Sequence, residues 1–360
     1  MQECRREERA TDDAVADDAF AMTTLDRSTL GAIGFGAAPL GNLYRSLTDA
    51  AARATIRAAW NAGIRYFDTA PHYGFGLSEK RLGSALAEID PDEQAIVSTK
   101  VGRRLDPVPD ADLTRPRQGF VSPEPVESVF DYGYDAVMRG YEASRARLRR
   151  DRIDVLYAHD LGRLTHGDAH PHHFCAFLDG GYKAMRALRD GGAVRAIGIG
   201  VNEVAICEQV LAHADLDLIL LAGRYTLLEQ DSLQTLLPLC ERRSVGVVIG
   251  GPYNSGILAQ GVGGGAPVHY DYEPPPADIV ARVARIEALC AAHGVPMAAA
   301  ALQFPLAHPQ IASVIPGMAS PDEAAATIAA MATPLPPALW ADLKRAGLLR
   351  PDAPVPGIAE

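Results

Sequence analysis

The sequence predicts an α/β protein whose parallel strands close into one (β/α)8 TIM barrel with long loops at its C-terminal face. Three observations carry this expectation. Short apolar, β-rich runs alternate with helical patterns from one end of the chain to the other. Strands that each lead into a helix build a parallel sheet, and eight such units close naturally. Helical runs end in Ala-Gly, Asp-Gly-Gly and His-Gly, at Gly63, Gly191 and Gly294, as expected where a left-handed residue stops a helix. The rival, a doubly wound sheet, usually places a glycine-rich phosphate turn after its first strand. Here Gly34-Phe35-Gly36 runs into Ala-Ala-Pro-Leu-Gly, a poor match to GxGxxG.

Taken in order, the strands are expected at Leu30–Phe35, Arg65–Asp68, Ala95–Thr99, Ile153–Ala158, Arg195–Gly200, Leu216–Leu221, Gly246–Ile249 and Ile311–Ile315. Helices fall at Asp49–Ala62, Ser78–Ala87, Tyr134–Arg149, Gly181–Arg189, Asp231–Arg242 and Ala277–His293, with Thr48 and Asp231 as N-caps. Two connections exceed ordinary length, Gly102–Phe130 and Gly250–Pro276. Both follow a strand, the side of a barrel on which a substrate lid belongs. The polar residues 1–23 read as a disordered extension, 24–347 as the barrel and 348–360 as a tail, with Met22 an alternative translation start.

The 360 residues carry a net charge of −11, and no sustained Lys/Arg stripe offers a footprint for nucleic acid. The one basic run, Arg145, Arg147, Arg149, Arg150 and Arg152, reads as the exposed end of a helix. No apolar stretch approaches the length of a membrane span. The cysteines Cys4, Cys175, Cys207, Cys240 and Cys290 show no paired or metal-type spacing, which suggests reduced thiols in a cytoplasm.

The chemistry-bearing residues sit at the ends of predicted strands. Asp68 closes one strand and Tyr73 follows in the loop; Lys100 closes the next, and His159 the one after. Singly, each has a bland explanation: a helix cap, a snorkelling lysine, a satisfied polar histidine. Their joint arrival at one rim is the informative part. A phenol titrates near 10, too high for proton traffic near neutrality. A buried ammonium within hydrogen-bond reach favours the tyrosinate, and a carboxylate keeps that ammonium charged. Lys100 and Asp68 are expected to tune Tyr73 in this way, with His159 donating to the substrate oxygen. Such an arrangement suits reversible hydride transfer, in which a cofactor carries the hydride and the protein handles one proton. His166, His170, His172 and His173 form a histidine-rich run, but no nearby Cys or Glu completes a metal spacing. The run is expected to shape the substrate mouth, and no metal is predicted.

Asp68, Tyr73, Lys100 and His159, in this order and context, resemble the catalytic tetrad of the aldo-keto reductase family over most of Leu30 to about Ala330. Gly34-Phe35-Gly36-Ala37-Ala38-Pro39-Leu40-Gly41-Asn42 and the run from His159 to Gly167 resemble the branch containing D-threo-aldose 1-dehydrogenases, L-fucose dehydrogenases and pyridoxal 4-dehydrogenases. The resemblance implies Tyr73 as general acid/base, Lys100 and Asp68 as its tuning pair and His159 as the orienting donor. It implies a nicotinamide cofactor over Gly36 and Ala37, with Asn202 on the carboxamide and Gly251, Tyr253, Asn254 and Ser255 at the pyrophosphate. Two positions depart from many relatives: Ala222 replaces a Gln and Gly250 a ring-stacking Tyr, so the nicotinamide must be gripped differently.

Pro316, Gly317, Met318 and Glu323 resemble the adenosine end. That segment offers Asp322 and Glu323 where NADP-using relatives carry cations, which implies NAD, with NADP as the alternative. His72, Phe75, Phe130, Tyr132 and Asp160 are candidates for the substrate wall. The implied activity is oxidation of an aldose to its lactone. The alternatives are carbonyl reduction with NADPH, oxidation of pyridoxal, or a nucleotide-sensing partner protein on the same barrel.

Overall fold

The computed structural model describes residues 25–264 and 268–357. The expectations for residues 1–23, Met22 and Cys4 lie outside the described residues. Eight parallel strands form one sheet: β1 (Phe35–Gly36), β2 (Tyr66–Asp68), β3 (Ile96–Val101), β6 (Val155–His159), β7 (Ala196–Val201), β8 (Leu218–Ala222), β9 (Gly246–Gly250) and β10 (Ile311–Ile315). The first and last close on each other through the bridges Ile33↔Val314 and Gly36↔Gly317 and the bond from Gly34 N–H to Val314 O at 2.9 Å. The expected barrel is therefore present. The remaining strands, β4 (Arg103–Pro107) and β5 (Val126–Phe130), form an antiparallel hairpin that stands outside the barrel sheet.

Period-two alternation along these strands separates two cores. Tyr66, Ile96, Val155, Tyr157, Ala196, Leu218, Leu220, Val248, Ala312 and Ile315 pack together as the inner filling. The alternate residues, such as Phe67, Val97, Leu156, Ile197, Ile219 and Val247, pack outward with the helices in a larger cluster. Gly200 belongs to the inner set, and a Cβ there would lie 3.2 Å from Lys100 Cε. The missing side chain leaves room for the lysine to run up the barrel interior.

Helices lie near their expected places: Asp49–Asn61, Leu77–Ile89, Tyr134–Leu148, Tyr182–Asp190 and Ala277–Ala292. The Thr48 side chain accepts from Ala51 N–H, the expected cap. Asp231 does not cap a long helix; a 3-10 turn, Asp231–Leu233, precedes the helix Leu236–Arg243. At the Asp-Gly-Gly stop the left-handed residue is Gly192 and not Gly191. The first strand is also shorter than its apolar run. Asp26 accepts from Thr29 N–H and caps a helical turn, Arg27–Leu30, which leaves Leu25 and Leu30 free to fill one end of the barrel interior.

The basic run is not simply an exposed helix end. Arg147 Nε donates to Glu79 Oε2 at 2.5 Å, and Glu79, fully buried, also accepts from Thr99 Oγ1 at 2.6 Å. Arg150 is buried and donates to Ala95 O at 3.0 Å. Both cations are engaged in joining the second and third βα units, which a run of like charges does not announce. Among the cysteines, Cys207, Cys240 and Cys290 are buried free thiols, whereas Cys175 is disulfide-bonded, contrary to the expectation of reduced thiols throughout. Among the described residues, no single helix is long and apolar enough to cross a membrane.

Candidate active site

Asp68 and His159 end β2 and β6, and Lys100 lies one residue before the end of β3, three neighbouring strands in the sheet. Their side chains converge because each occupies an inward position at the same end. Lys100 Nζ donates to Asp68 Oδ2 at 2.7 Å and to Thr69 O at 2.9 Å, with both side chains almost wholly buried. Ser98 Oγ donates to the other carboxylate oxygen at 2.6 Å. Ser98 lies two residues before Lys100 and therefore on the same face of β3, a signal that period-two reading could have supplied. Behind it, the Tyr66 hydroxyl lies 3.1 Å from Ser98 Oγ and 3.3 Å from the Tyr157 hydroxyl, extending the polar chain into the barrel interior.

Tyr73 stands over this pair in the loop after β2. Its position depends on a close backbone crossing with the loop after β1. A Cβ on Gly41 would fall 2.5 Å from Tyr73 C, and one on Gly74, at φ 65°, would fall 2.3 Å from Gly41 O. Only glycines allow this contact. The Lys100 ammonium lies 4.7 Å from the centroid of the Tyr73 ring, as a cation–π contact. The direct hydrogen bond expected between them is not formed, because the ammonium donates instead to Asp68 and Thr69. Burial, with Asp68 and Asp160 adding to it, pushes the Tyr73 phenol well above 10, while Arg103 opposes the shift. The phenol is therefore a fully protonated donor here, and the lowering expected from Lys100 is not realised.

The His159 ring lies 5.9 Å from that of Tyr73, at 85°. Burial, reinforced by Arg103 and Lys100, drives its pKa well below 6.5, so it is a neutral imidazole. Nδ1 is buried without a partner and Nε2 lies 3.5 Å from Asp160 Oδ2, which favours a proton on Nε2.

Of the candidate wall residues, His72 faces the cluster, 5.9 Å from the His159 ring, and burial beside Arg103 lowers its pKa to about 2. Phe130 lies at the hairpin edge. Phe75 and Tyr132 are buried, each 1% exposed, behind the surface. The Tyr132 hydroxyl donates to His159 O at 2.6 Å and so fixes the end of β6. His166 and His173 lie 4.0 Å apart, ring to ring, with His166 against Phe130 at 4.4 Å. No group of His, Cys, Asp and Glu among the described residues is placed to hold a metal.

Across the mouth the rim has a different character. Ala222 and Gly250 pair in register, giving a floor of the smallest residues, and half-buried Asn202 follows β7 beside it. Gly251 is exposed and Tyr253 half-buried. The Asn254 side chain ties down the loop after β8, accepting from Thr226 Oγ1 at 2.6 Å and donating to Gly223 O at 3.1 Å. Ser255 Oγ accepts from Tyr272 N–H.

Gly36 is held against Pro316 by its own bond to Pro316 O at 2.9 Å, and Ala37 N–H donates to Asp68 O. Gly317 bridges Gly36, and Met318 is buried. Glu323 accepts from Ala319 N–H at 2.7 Å and pairs with Arg45 at 2.9 Å. The segment carries no cation of its own, but one reaches it from elsewhere in the chain. Arg45 arrives from the loop after β1, which barrel closure sets beside the segment after β10.

A barrel whose titratable groups gather at the C-terminal ends of β2, β3 and β6 defines an α/β-barrel enzyme. A family model for the aldo/keto reductases matches residues 32–347. The chain is 43% identical to a pyridoxal 4-dehydrogenase of Microbacterium luteolum, covering 89% of this chain and 95% of that one. It is 41% identical to a D-threo-aldose 1-dehydrogenase of Pseudomonas, covering 88% and 94%. The fold matches the aldo-keto reductase AKR11C1 of Bacillus halodurans with a TM-score of 0.66 at 23% identity, over 87% of this chain and 91% of that one. The chain belongs to the aldo/keto reductase family. It is an oxidoreductase, and the family's dehydrogenases use nicotinamide cofactors.

Proposed function

We propose that this enzyme oxidises the hemiacetal carbon of an aldose to its lactone with NAD+, using Tyr73, Lys100, Asp68 and His159. The observation that carries the reading is the buried Lys100–Asp68 pair lying under the ring of Tyr73 and beside neutral His159. A bound nicotinamide supplies the acceptor for the hydride. The residues present fit such a group: Ala222 and Gly250, paired in register, put no bulky side chain at the ends of β8 and β9, and half-buried Asn202 after β7 has an amide suited to a carboxamide.

The protein's own work is the proton. His159 Nε2–H orients the substrate oxygen. For oxidation the Tyr73 phenol must first give up its proton; the phenolate, stabilised by the Lys100 ammonium beneath its ring, then takes the substrate hydroxyl proton at Oη and returns to the phenol, and the reverse reaction starts from that phenol as donor. Asp68, held by Ser98, keeps Lys100 charged. The buried position of the cluster excludes water, which strengthens each of these interactions.

The finer choice of NAD over NADP is supported by Glu323. It is fixed at the helix end by Ala319 N–H and pairs with Arg45, so the cation beside this segment already has an anionic partner. Cytoplasmic placement is supported by the free thiols of Cys207, Cys240 and Cys290, with disulfide-bonded Cys175 counting against it. A second reading, oxidation of pyridoxal, is favoured by the 43% identical relative named for that activity. A panel of aldoses and pyridoxal with NAD+ and NADP+, followed by absorbance of the reduced cofactor, tests all of this. The expected result is the highest kcat/KM with an aldose and NAD+. A tenfold preference for NADP+ ends the cofactor assignment, and turnover of pyridoxal alone ends the aldose assignment.

A further inference from the structure

We infer that Arg103 and Asp160 form a fixed donor–acceptor pair that grips two neighbouring hydroxyls of the substrate beyond its reacting carbon, and so selects polyhydroxylated substrates over their deoxy counterparts. This rests on the aldose reading above. Arg103 opens β4, and its register with Phe130 on β5 lays the guanidinium 4.2 Å over that ring. One end of the fork donates to Asp160 Oδ2, and the other lies 3.4 Å from His72 Nδ1. Asp160 directly follows His159 and holds a left-handed backbone at φ 50°, which is strained for a residue with a side chain. The side chains are only 11% and 21% exposed, yet both border the mouth beside His159.

Fold stability does not call for this pair. Two charges drawn out of water at the end of a strand are a poor source of stability, and although both bias the Tyr73 phenol and the His159 ring electrostatically, neither donates to nor accepts from Tyr73 or Lys100. What the pair does provide is matched polarity. Among the described residues Asp160 Oδ1 accepts no hydrogen bond, so the carboxylate keeps acceptor capacity, and a guanidinium has five donors of which two are engaged. A vicinal diol needs one acceptor for an O–H and one donor to an oxygen lone pair, on adjacent positions. A substrate lacking one of those hydroxyls leaves a desolvated charge without its partner, and that omission penalises it more than extra contact could reward it. The ring of Phe130 and the His72 contact hold the guanidinium in one orientation, so little freedom is lost on binding.

The test compares kcat/KM for the aldose turned over best with its 2-deoxy and 3-deoxy counterparts. The proteins are wild type, Arg103→Met, Arg103→Lys and Asp160→Asn, with NAD+ binding by fluorescence titration and thermal melts reporting that each is folded. Wild type is expected to favour the full aldose over one deoxy sugar by about thirtyfold, the weight of one charge-assisted hydrogen bond. Arg103→Met and Asp160→Asn should reduce that ratio to about threefold or less, mainly by raising KM for the full aldose, with Arg103→Lys in between. A wild type that does not discriminate, or variants that keep its ratio, overturn the inference while leaving aldose oxidation in place. A wild type that oxidises no aldose overturns the aldose reading itself and this inference with it. Should Arg103→Met fail to fold, the Asp160→Asn and Arg103→Lys ratios decide the matter.

Discussion

The two halves of the barrel mouth are built on opposite principles. Where β2, β3 and β6 end, the rim is made of side chains: Asp68, Lys100 and His159, each with a charge or a proton to manage and each buried. Where β8 and β9 end, it is made of backbone, with Ala222 and Gly250 side by side and Asn254, from the loop after β9, turned inward to hold the loop after β8. Chemistry needs particular functional groups, whereas a flat ring needs only space and well-aimed N–H and C=O groups. The first kind of site is written in residue types, and the second in conformation.

The largest expected effect breaks the polar half. Tyr73→Phe should lower kcat by about 10²- to 10⁴-fold, the usual contribution of a general acid/base, while the Kd for NAD+ by fluorescence titration stays within about twofold. A loss of less than about tenfold would move the reaction centre elsewhere on the rim.

A middle effect reads the electrostatics of the same half through pH. His72 titrates near 6.5 when unfolded and is held down at about 2 when folded. Its depressed folded pKa means that the unfolded chain binds the extra proton. Stability is therefore full above 6.5 and declines as pH falls from there toward the folded value. By pH 5 this amounts to about 2 kcal/mol, at 1.36 kcal/mol per pH unit. Denaturant melts at pH 7 and pH 5 should show that loss, and His72→Phe should remove most of the difference. An undiminished difference in the variant assigns the acid sensitivity to other groups.

The smallest effect belongs to the backbone half. A Cβ on Gly250 meets Leu220 Cδ2 at 3.0 Å, a side-chain end able to shift, and lies at ordinary contact distance from Ala222 Cβ at 3.5 Å and Ala222 Cα at 3.7 Å. Gly250→Ala should cost at most about 1 kcal/mol of stability and raise the Kd for NAD+ a fewfold, measured by calorimetry. A rise beyond about a hundredfold would mark Gly250 as an essential part of the cofactor floor.

This difference explains what the sequence made legible. Asp68, Lys100 and His159 could be placed together because strand ends are readable and a closed barrel brings them to one rim. The direct Lys100–Tyr73 hydrogen bond could not be read correctly, since it depends on where an ammonium with two better acceptors settles. Arg45 escaped notice beside Glu323 because 278 residues separate them and only barrel closure makes them neighbours. Arg103 escaped for a related reason. It lies in a stretch with the composition of a loop, and only the pairing of β4 with β5 aims its guanidinium at Asp160. Leu30 misled in the other direction, as an apolar residue that fills the barrel end from a helical turn without joining a strand.

The β4–β5 hairpin has a consequence for how such an enzyme diversifies. It leaves the barrel after Val101 and rejoins ahead of the helix at Tyr134, and it carries Arg103 and Phe130 without contributing a strand to the closed sheet. Exchanging this ribbon for one of another length or charge changes what faces the substrate while the proton machinery beneath stays put. Selectivity can thus drift by cassette, with catalysis inherited intact.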